Sequence, residues 1–141
     1  MKYSPDAPCP CRSGKKYKRC CKIYHDSKAL PKNALLLMRS RYSAFALGLS
    51  RYVIETTHPN HEDGALQLDE RLAAINDFCS ATKFQNLQII AFDTSDEYAS
   101  VTFFAKLSNN GGDASFKEKS YFEKLEGKWY YLRGEIEDEN K

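Results

Sequence analysis

The sequence predicts an α+β fold: a small cysteine-bound N-terminal knuckle, then about three helices packed on a four-stranded antiparallel sheet. Three observations carry that reading. Four of the five cysteines fall between Cys9 and Cys21, spaced C-x-C-x8-C-C. From about Asn33 to Ala81, apolar residues recur at three- and four-residue steps, the helical period. From Phe84 onward the period changes to two, the strand pattern. A chain of 141 residues supports a small module plus one domain. The boundaries are drawn at 1–28 for the knuckle and 29–141 for the α+β domain.

The knuckle comes first in the chain. Thiolate binds zinc strongly, and a structural zinc site takes four ligands in a tetrahedron. Cys9, Cys11, Cys20 and Cys21 supply that set locally. Apart from Tyr17, Ile23 and Tyr24 the segment has almost no apolar residues to bury. Metal binding must therefore supply its folding free energy. Pro8 and Pro10 hold the approach to the first ligand pair extended, and Ser13-Gly14 signals a turn. Residues Lys15 to Lys22 have room for one or two helical turns. His25 reads as a surface group or a partner of the ligands rather than a ligand. Residues 1–8 read as a tail. The tripeptide Ser13-Gly14-Lys15 is not a phosphate loop, because the G-x-x-x-x-G-K spacing is missing and no apolar strand precedes it.

Residues 26–32 form a linker. A helix follows from about Asn33, as N-cap, to Leu47, with Gly48 just past its end. Leu35, Met38, Tyr42, Phe45 and Leu49 make its apolar stripe, with Arg39 and Arg41 on opposite edges. The far side, Leu36, Ser40, Ser43 and Leu47, is less polar than a free surface should be, so a second layer is expected there, with the knuckle as the candidate. Ser50 is expected to cap a short helix that His58-Pro59 ends, since the residue before proline avoids the α region. The segment 58–64 reads as a polar loop, with His58 at a helix end. A third helix spans about Leu68 to Ala81, burying Leu68, Leu72, Ile75, Phe78 and Cys79. Cys79 reads as an inert core thiol.

Four strands are expected at Leu87–Thr94, Tyr98–Leu107, Phe116–Leu125 and Trp129–Gly134, with Glu126-Gly127 as a tight hairpin turn. The segment from Glu135 on is expected to fray. On the third strand Phe116, Glu118, Ser120 and Phe122 share one parity. If the two Phe residues point inward, Glu118 and Ser120 go with them, and a buried carboxylate needs a partner. The expectation is a polar pocket between sheet and helix where Glu118 meets Arg39 or Arg41, with Tyr42 nearby.

Charge is uneven. Residues 1–28 hold eight Lys or Arg against two Asp, a net of +6, and the rest of the chain carries a net of −4. A basic head on a mildly acidic body favours contact with something anionic. No apolar run is long enough to span a membrane, and the N-terminal residues lack the pattern of a secretory signal. A cytoplasmic location is expected, and in a reducing compartment clustered thiols serve metals rather than disulfides.

The run Cys9-Pro10-Cys11-Arg12-Ser13-Gly14-Lys15-Lys16-Tyr17-Lys18-Arg19-Cys20-Cys21 resembles the SEC-C zinc motif. Arg12 stands where that motif usually has glycine, and Lys22 where many relatives have another. Leu37-Met38-Arg39-Ser40-Arg41-Tyr42-Ser43-Ala44-Phe45, the segment Glu55 to Pro59, Glu118 to Phe122, and Trp129 to Gly134 resemble the bacterial YchJ-like proteins. That resemblance implies a nuclear transport factor 2-like domain, in which helices pack into the concave side of a curved sheet and leave a cone-like cavity.

Three functional readings follow. The first is a zinc-containing binding or adaptor protein, with Lys15, Lys16, Lys18 and Arg19 docking on an acidic protein surface; anionic lipid is the related partner. The second is an enzyme using the cavity, with Arg39, Arg41, Tyr42, His58, Glu118 and Ser120 as its candidate groups. It lacks paired carboxylates at useful spacing and a nucleophile–base set. The third is nucleic-acid binding by the knuckle, with Tyr17 and Tyr24 stacking on bases. Closed thiolate ligands leave no open coordination position, so the zinc is expected to be structural. Sheets of this kind also pair across their open face, which makes a homodimer an expectation.

Overall fold

In the computed structural model, which describes residues 3–137, helices lie against one face of a curved antiparallel sheet. Helix α1 (Lys22–His25) belongs to the N-terminal knuckle. Helices α2 (Ala34–Leu47), α3 (Ser50–Glu55) and α4 (Leu68–Ala81) belong to the main body. The sheet comprises β1 (Thr82–Thr94), β2 (Tyr98–Asn109), the two-residue β3 (Gly112–Asp113), β4 (Phe116–Leu125) and β5 (Lys128–Glu137). The long strands run in the order β1-β2-β4-β5, β3 pairs with the end of β2, and the sheet does not close.

Helix α2 is the central strut, and its ends follow from local chemistry. The Asn33 side chain accepts a hydrogen bond from the Leu36 N–H, and Gly48 takes the left-handed conformation that ends the helix. The helix is buried around most of its girth. Leu37, Met38 and Tyr42 join the core against the sheet, while Ser40 and Ser43, on the face turned away from Tyr42, are also fully buried. That second face is covered by the knuckle, as the sparse polarity of Leu36, Ser40, Ser43 and Leu47 implied.

Two bulges curve β1, one between Phe84 and Asn86 and one between Ile89 and Ala91. A third lies in β5, where Phe122 pairs with Tyr131 but Tyr121 pairs with Arg133, leaving Leu132 as the extra residue. It shifts the parity of β5, so Tyr131 and Gly134 share the concave face. Segment 56–58 then pairs with the outer edge of β5. The Tyr131 N–H donates to the Thr56 carbonyl at 2.8 Å, and the His58 N–H donates to the Tyr131 carbonyl at 2.7 Å. An edge that would otherwise offer unpaired backbone groups is thereby covered at its bend.

Several sequence expectations change. Residues 3–8 are not a free tail: Tyr17 N–H donates to Ala7 O, Lys18 N–H donates to Pro5 O, and Tyr3 packs edge-on against Tyr17. Ser50 is the first residue of α3, not its cap, and Leu49 holds the cap position with no side-chain hydrogen bond. Strand β1 begins at Thr82, directly from α4, because pairing with β2 overrides the polar composition of its first residues. Strand β5 extends to Glu137 because Ile136 and Glu137 pair with Glu118 and Lys117; the remainder of the segment expected to fray lies outside the described residues. Helix α4 has the expected bounds, but no residue in it is fully buried, and Leu68 and Phe78 are exposed. It sits over the sheet as a loose cover, with open space beneath it.

Candidate metal centre and cavity

The four cysteine sulfurs converge. One Sγ from each of Cys9, Cys11, Cys20 and Cys21 lies within 4.8 Å of all the others. Cys11 and Cys20 are 3.5 Å apart, and Cys20 and Cys21 are 3.9 Å apart. Tetrahedral zinc with thiolate bonds near 2.3 Å requires sulfurs about 3.8 Å apart, so the donor set and its spacing fit that ion. Crowding also explains why a cation is needed. The Cys20 thiol, hydrogen-bonded to Cys11, pulls the Cys11 thiol far below its ordinary value, while the Cys11 sulfur in turn pushes the Cys21 thiol far up. Four sulfurs this close cannot all ionise without a positive charge among them.

The turn that gathers them is short. Arg12 joins the two halves with φ +65° and Gly14 with φ +90°. Residues Tyr17–Arg19 form one 3-10 turn, which brings Cys20 and Cys21 back towards Cys11. Lys22 starts α1 rather than forming a turn and pairs with Asp26, so a glycine is not required there.

Behind the sulfurs the knuckle is fastened to α2. Arg39 Nη1 donates to the Cys11 carbonyl at 2.9 Å. His25 Nε2 donates to the Ser40 carbonyl at 2.8 Å, so its Nδ1 accepts from the Tyr17 hydroxyl at 2.6 Å. Burial pushes the His25 pKa down, which keeps this bridge neutral. The Ser40 hydroxyl, donating to Leu37 O, accepts from Tyr52 at 2.7 Å. Arg39 is therefore a strut to the knuckle, not a group of the cavity. Its position on the stripe edge left both directions open.

On the other side of α2 lies a cavity of about 470 Å³, walled by α2, α4 and the concave face of the sheet. Its body is aromatic, with Phe45, Phe78 and Phe84 in successive edge-to-face contacts near 6 Å and Phe103 against Phe116. Tyr42 forms part of the wall and fixes its hydroxyl on the Asn86 carbonyl at 3.1 Å.

The inner end is polar. Arg41 is 92% buried by its 8% residual exposure, and its Nη1 donates to Val53 O, Thr56 Oγ1 and Thr57 Oγ1 at 2.9, 2.8 and 3.1 Å. Desolvation pushes its pKa down to about 10, leaving it a cation at neutral pH. The guanidinium carbon stands 4.5 Å over the Tyr131 ring, and the Tyr131 hydroxyl donates to Glu118 Oε2 at 3.4 Å. Ser120 donates to the same Glu118 oxygen. The Arg41–Glu118 relation is thus mediated by Tyr131 and is not a direct ion pair. Gly134 makes the arrangement fit, because a Cβ there would overlap the Glu118 carboxylate and stand 2.7 Å from the Tyr131 hydroxyl.

His58 does not reach this cavity. It is buried on the far side of the covered edge, its Nε2 donating to Glu123 Oε1 at 2.7 Å and its Nδ1 accepting from the Asn60 N–H. Pairing of segment 56–58 with β5 turns it away. His61, from the same loop, lines the cavity instead, 5.8 Å from the Tyr131 ring. Tyr131, Gly134 and His61 were not among the expected cavity groups. A glycine inside a strand pattern is the one signal that points to such a close approach.

The middle NTF2-like domain of YchJ matches residues 33–134, and the SEC-C motif matches residues 7–22. The chain belongs to the YchJ-like family. A UPF0225 protein of Actinobacillus succinogenes is 36% identical over 137 residues, covering 96% of this chain and 86% of that protein. One from Streptomyces coelicolor is 37% identical over 139 residues, covering 95% and 99%. Among solved structures, a SEC-C motif containing protein from Rhodopseudomonas palustris superposes with a TM-score of 0.81 at 32% identity, covering 92% of this chain and 98% of that one. Another from Psychrobacter arcticus gives 0.78 at 27% identity, covering 95% and 85%.

The SEC-C motif also makes sense of Arg12. The motif's usual glycine falls where the backbone is left-handed, and arginine holds that conformation here at a steric cost. Among the described residues, no helix is long and apolar enough to cross a membrane.

Proposed function

We propose that this YchJ-like protein is a zinc-containing binding protein, in which a structural Zn²⁺ on Cys9, Cys11, Cys20 and Cys21 presents a basic turn to an acidic protein surface. The observation that carries this reading is the exposure of Lys15, Lys16, Lys18 and Arg19 around the sulfur cluster, while the cluster's inner side is tied to α2. Lys18 is paired with Asp6 at 2.7 Å, an exposed contact that a partner carboxylate can replace at little cost. The other three carry no ion pair among the described residues. A rigid, solvated cluster of like charge gives orientation and association rate more than raw affinity, and it weakens with salt.

The test titrates the zinc-loaded full chain against poly-glutamate, phosphatidylglycerol vesicles and a single-stranded RNA, at low and high salt. Binding to poly-glutamate should fall several-fold with salt and be lost when the four basic residues are changed to Gln. Salt-independent binding argues against the charge mechanism. Preference for RNA would favour the nucleic-acid reading, and preference for vesicles would move the partner to anionic lipid.

A second reading has its own observation. The cavity has the size and mixed lining of small-molecule sites, mostly apolar with a few convergent polar groups. We read it as a binding cavity rather than a catalytic one. Glu118 is already occupied by two hydroxyl donors, and Arg41 Nη1 is occupied by three backbone and hydroxyl acceptors.

A further inference from the structure

The inner end of the cavity holds more hydrogen-bonding capacity than the protein uses. Three acceptors engage Arg41 through Nη1 alone. Among the described residues Nε and Nη2 have no acceptor, yet no buried side-chain nitrogen or oxygen among them is left without a partner. Those N–H groups therefore open onto the cavity that Arg41 lines. Glu118 is complementary. Its Oε2 takes the Ser120 and Tyr131 hydroxyls, and among the described residues its Oε1 has no donor. The inner end of this partly open, aromatic-walled space thus presents free donors and a free acceptor. They are separated by the depth of one tyrosine, the ring that Arg41 overlies and whose hydroxyl reaches Glu118.

We propose that the cavity binds a neutral, planar apolar molecule with an amide-type head, a C=O next to an N–H, such as an aryl carboxamide or lactam. The carbonyl accepts from the free Arg41 N–H groups, and the N–H donates to Glu118 Oε1. This deepens, and rests on, the reading of the cavity as a ligand site. Charge favours a neutral head. Arg41 and Arg71 are balanced in number by Glu118 and Asp63 in the lining, so the cavity carries no net formal charge that would favour an ion of either sign. A carboxylate would satisfy Arg41 but face Glu118, and a hydrocarbon would leave the buried Arg41 and the half-buried Glu118 without the partner each lacks. The body follows from the wall. The rings of Phe45, Phe78 and Phe84 stand edge-on to one another, which suits the flat face of an aromatic system.

The test uses three shape-matched probes, 2-naphthamide, 2-naphthoate and 2-ethylnaphthalene, titrated into the zinc-loaded full chain and followed by amide chemical shifts. The amide should bind about tenfold more tightly than either of the others, the scale of one charge-assisted hydrogen bond. Glu118→Gln removes the negative charge but keeps the shape. It should erase the preference over naphthoate while the protein stays folded. Gly134→Ala drives a methyl group into the Glu118 carboxylate and should abolish the amide preference without touching Arg41. If all three probes bind equally, the head-group inference is overturned and the ligand-site reading survives. If naphthoate binds best, the site is one for organic acids and the inference is wrong. If none binds, both readings fall.

Discussion

The cysteine knuckle and the aromatic cavity lie on opposite sides of α2 and are built in opposite ways. The knuckle gathers four ligands from thirteen consecutive residues and organises a segment with almost nothing apolar to bury. The cavity draws its walls from Met38 to Tyr131, with Gly134 behind them. One is assembled from residues close in sequence, the other from residues far apart in it. The two meet in α2, whose Arg39 reaches to one side and whose Arg41 reaches to the other. Two arginines two positions apart on a helix point about 200° apart, which is why one helix can serve both regions.

The largest effect should come from breaking the knuckle. Cys11 is fully buried at the centre of the cluster. With Cys11→Ser, or after chelation, bound zinc should fall from one equivalent to none, and residues 3–28 should become protease-sensitive. The metal supplies the folding energy of such modules outright. Amide signals from β2 and β4 should persist, because the sheet has its own core. Collapse of the whole spectrum would mean that the two regions fold as one.

Next comes the cavity's buried charge. Arg41→Met leaves Val53 O, Thr56 Oγ1 and Thr57 Oγ1 without their donor and removes the cation that overlies the Tyr131 ring. A loss of about 3 kcal/mol in denaturant unfolding is expected. Zinc content should not change, and a variant that also loses zinc would show that α2 transmits damage between its two sides.

These two regions were not equally readable from sequence. The cysteine quartet and the ends of α2 were legible because each rests on spacing or on one residue's local chemistry, as with Asn33 and Gly48. The strand parity that turns Glu118 inward was legible for the same reason. What escaped was tertiary. Nothing local tells Arg39 from Arg41, or sends His58 to Glu123 and His61 to the cavity; pairing of segment 56–58 with β5 decides that. The bulge at Leu132 is equally silent, yet it places Tyr131 and Gly134 on one face. Helix α4 shows a further limit. Its periodicity put Ile75 and Phe78 on the inner side, but the inner face also holds Arg71 and Ala74 while Leu68 is exposed; periodicity cannot say whether a partner fills the space beneath, and here a cavity does.

A smaller effect lies in the seam between the regions. His25 is neutral in the folded protein, its pKa pushed below the ordinary 6.5 by burial, with the Ser40 carbonyl opposing the shift. The unfolded chain therefore takes up a proton first as pH falls. The stability contributed by the neutral ring is whole above about 6.5 and is lost progressively below it, down to the depressed folded value. Thermal melts in zinc-saturated buffer should show that decline. His25→Gln, which cannot charge, should flatten it; an equally steep decline in the variant would assign the effect to another group.

The smallest expected change improves the protein. Arg12 is exposed and sits at φ +65°, where a side chain crowds the following carbonyl at a cost of about 1–2 kcal/mol. Arg12→Gly removes that strain, and the extra freedom glycine gives the unfolded chain offsets roughly half of it. A net gain near 0.5–1 kcal/mol should appear as slower loss of zinc to a chelator and a melting point higher by about 2–4 °C. Probe binding in the cavity should stay as it was, since the turn lies on the other side of α2. A slower zinc loss accompanied by altered cavity binding would mean that strain in the knuckle reaches the cavity through Arg39 and α2. Faster zinc loss would show that the Arg12 side chain contributes more to the turn than its backbone conformation costs.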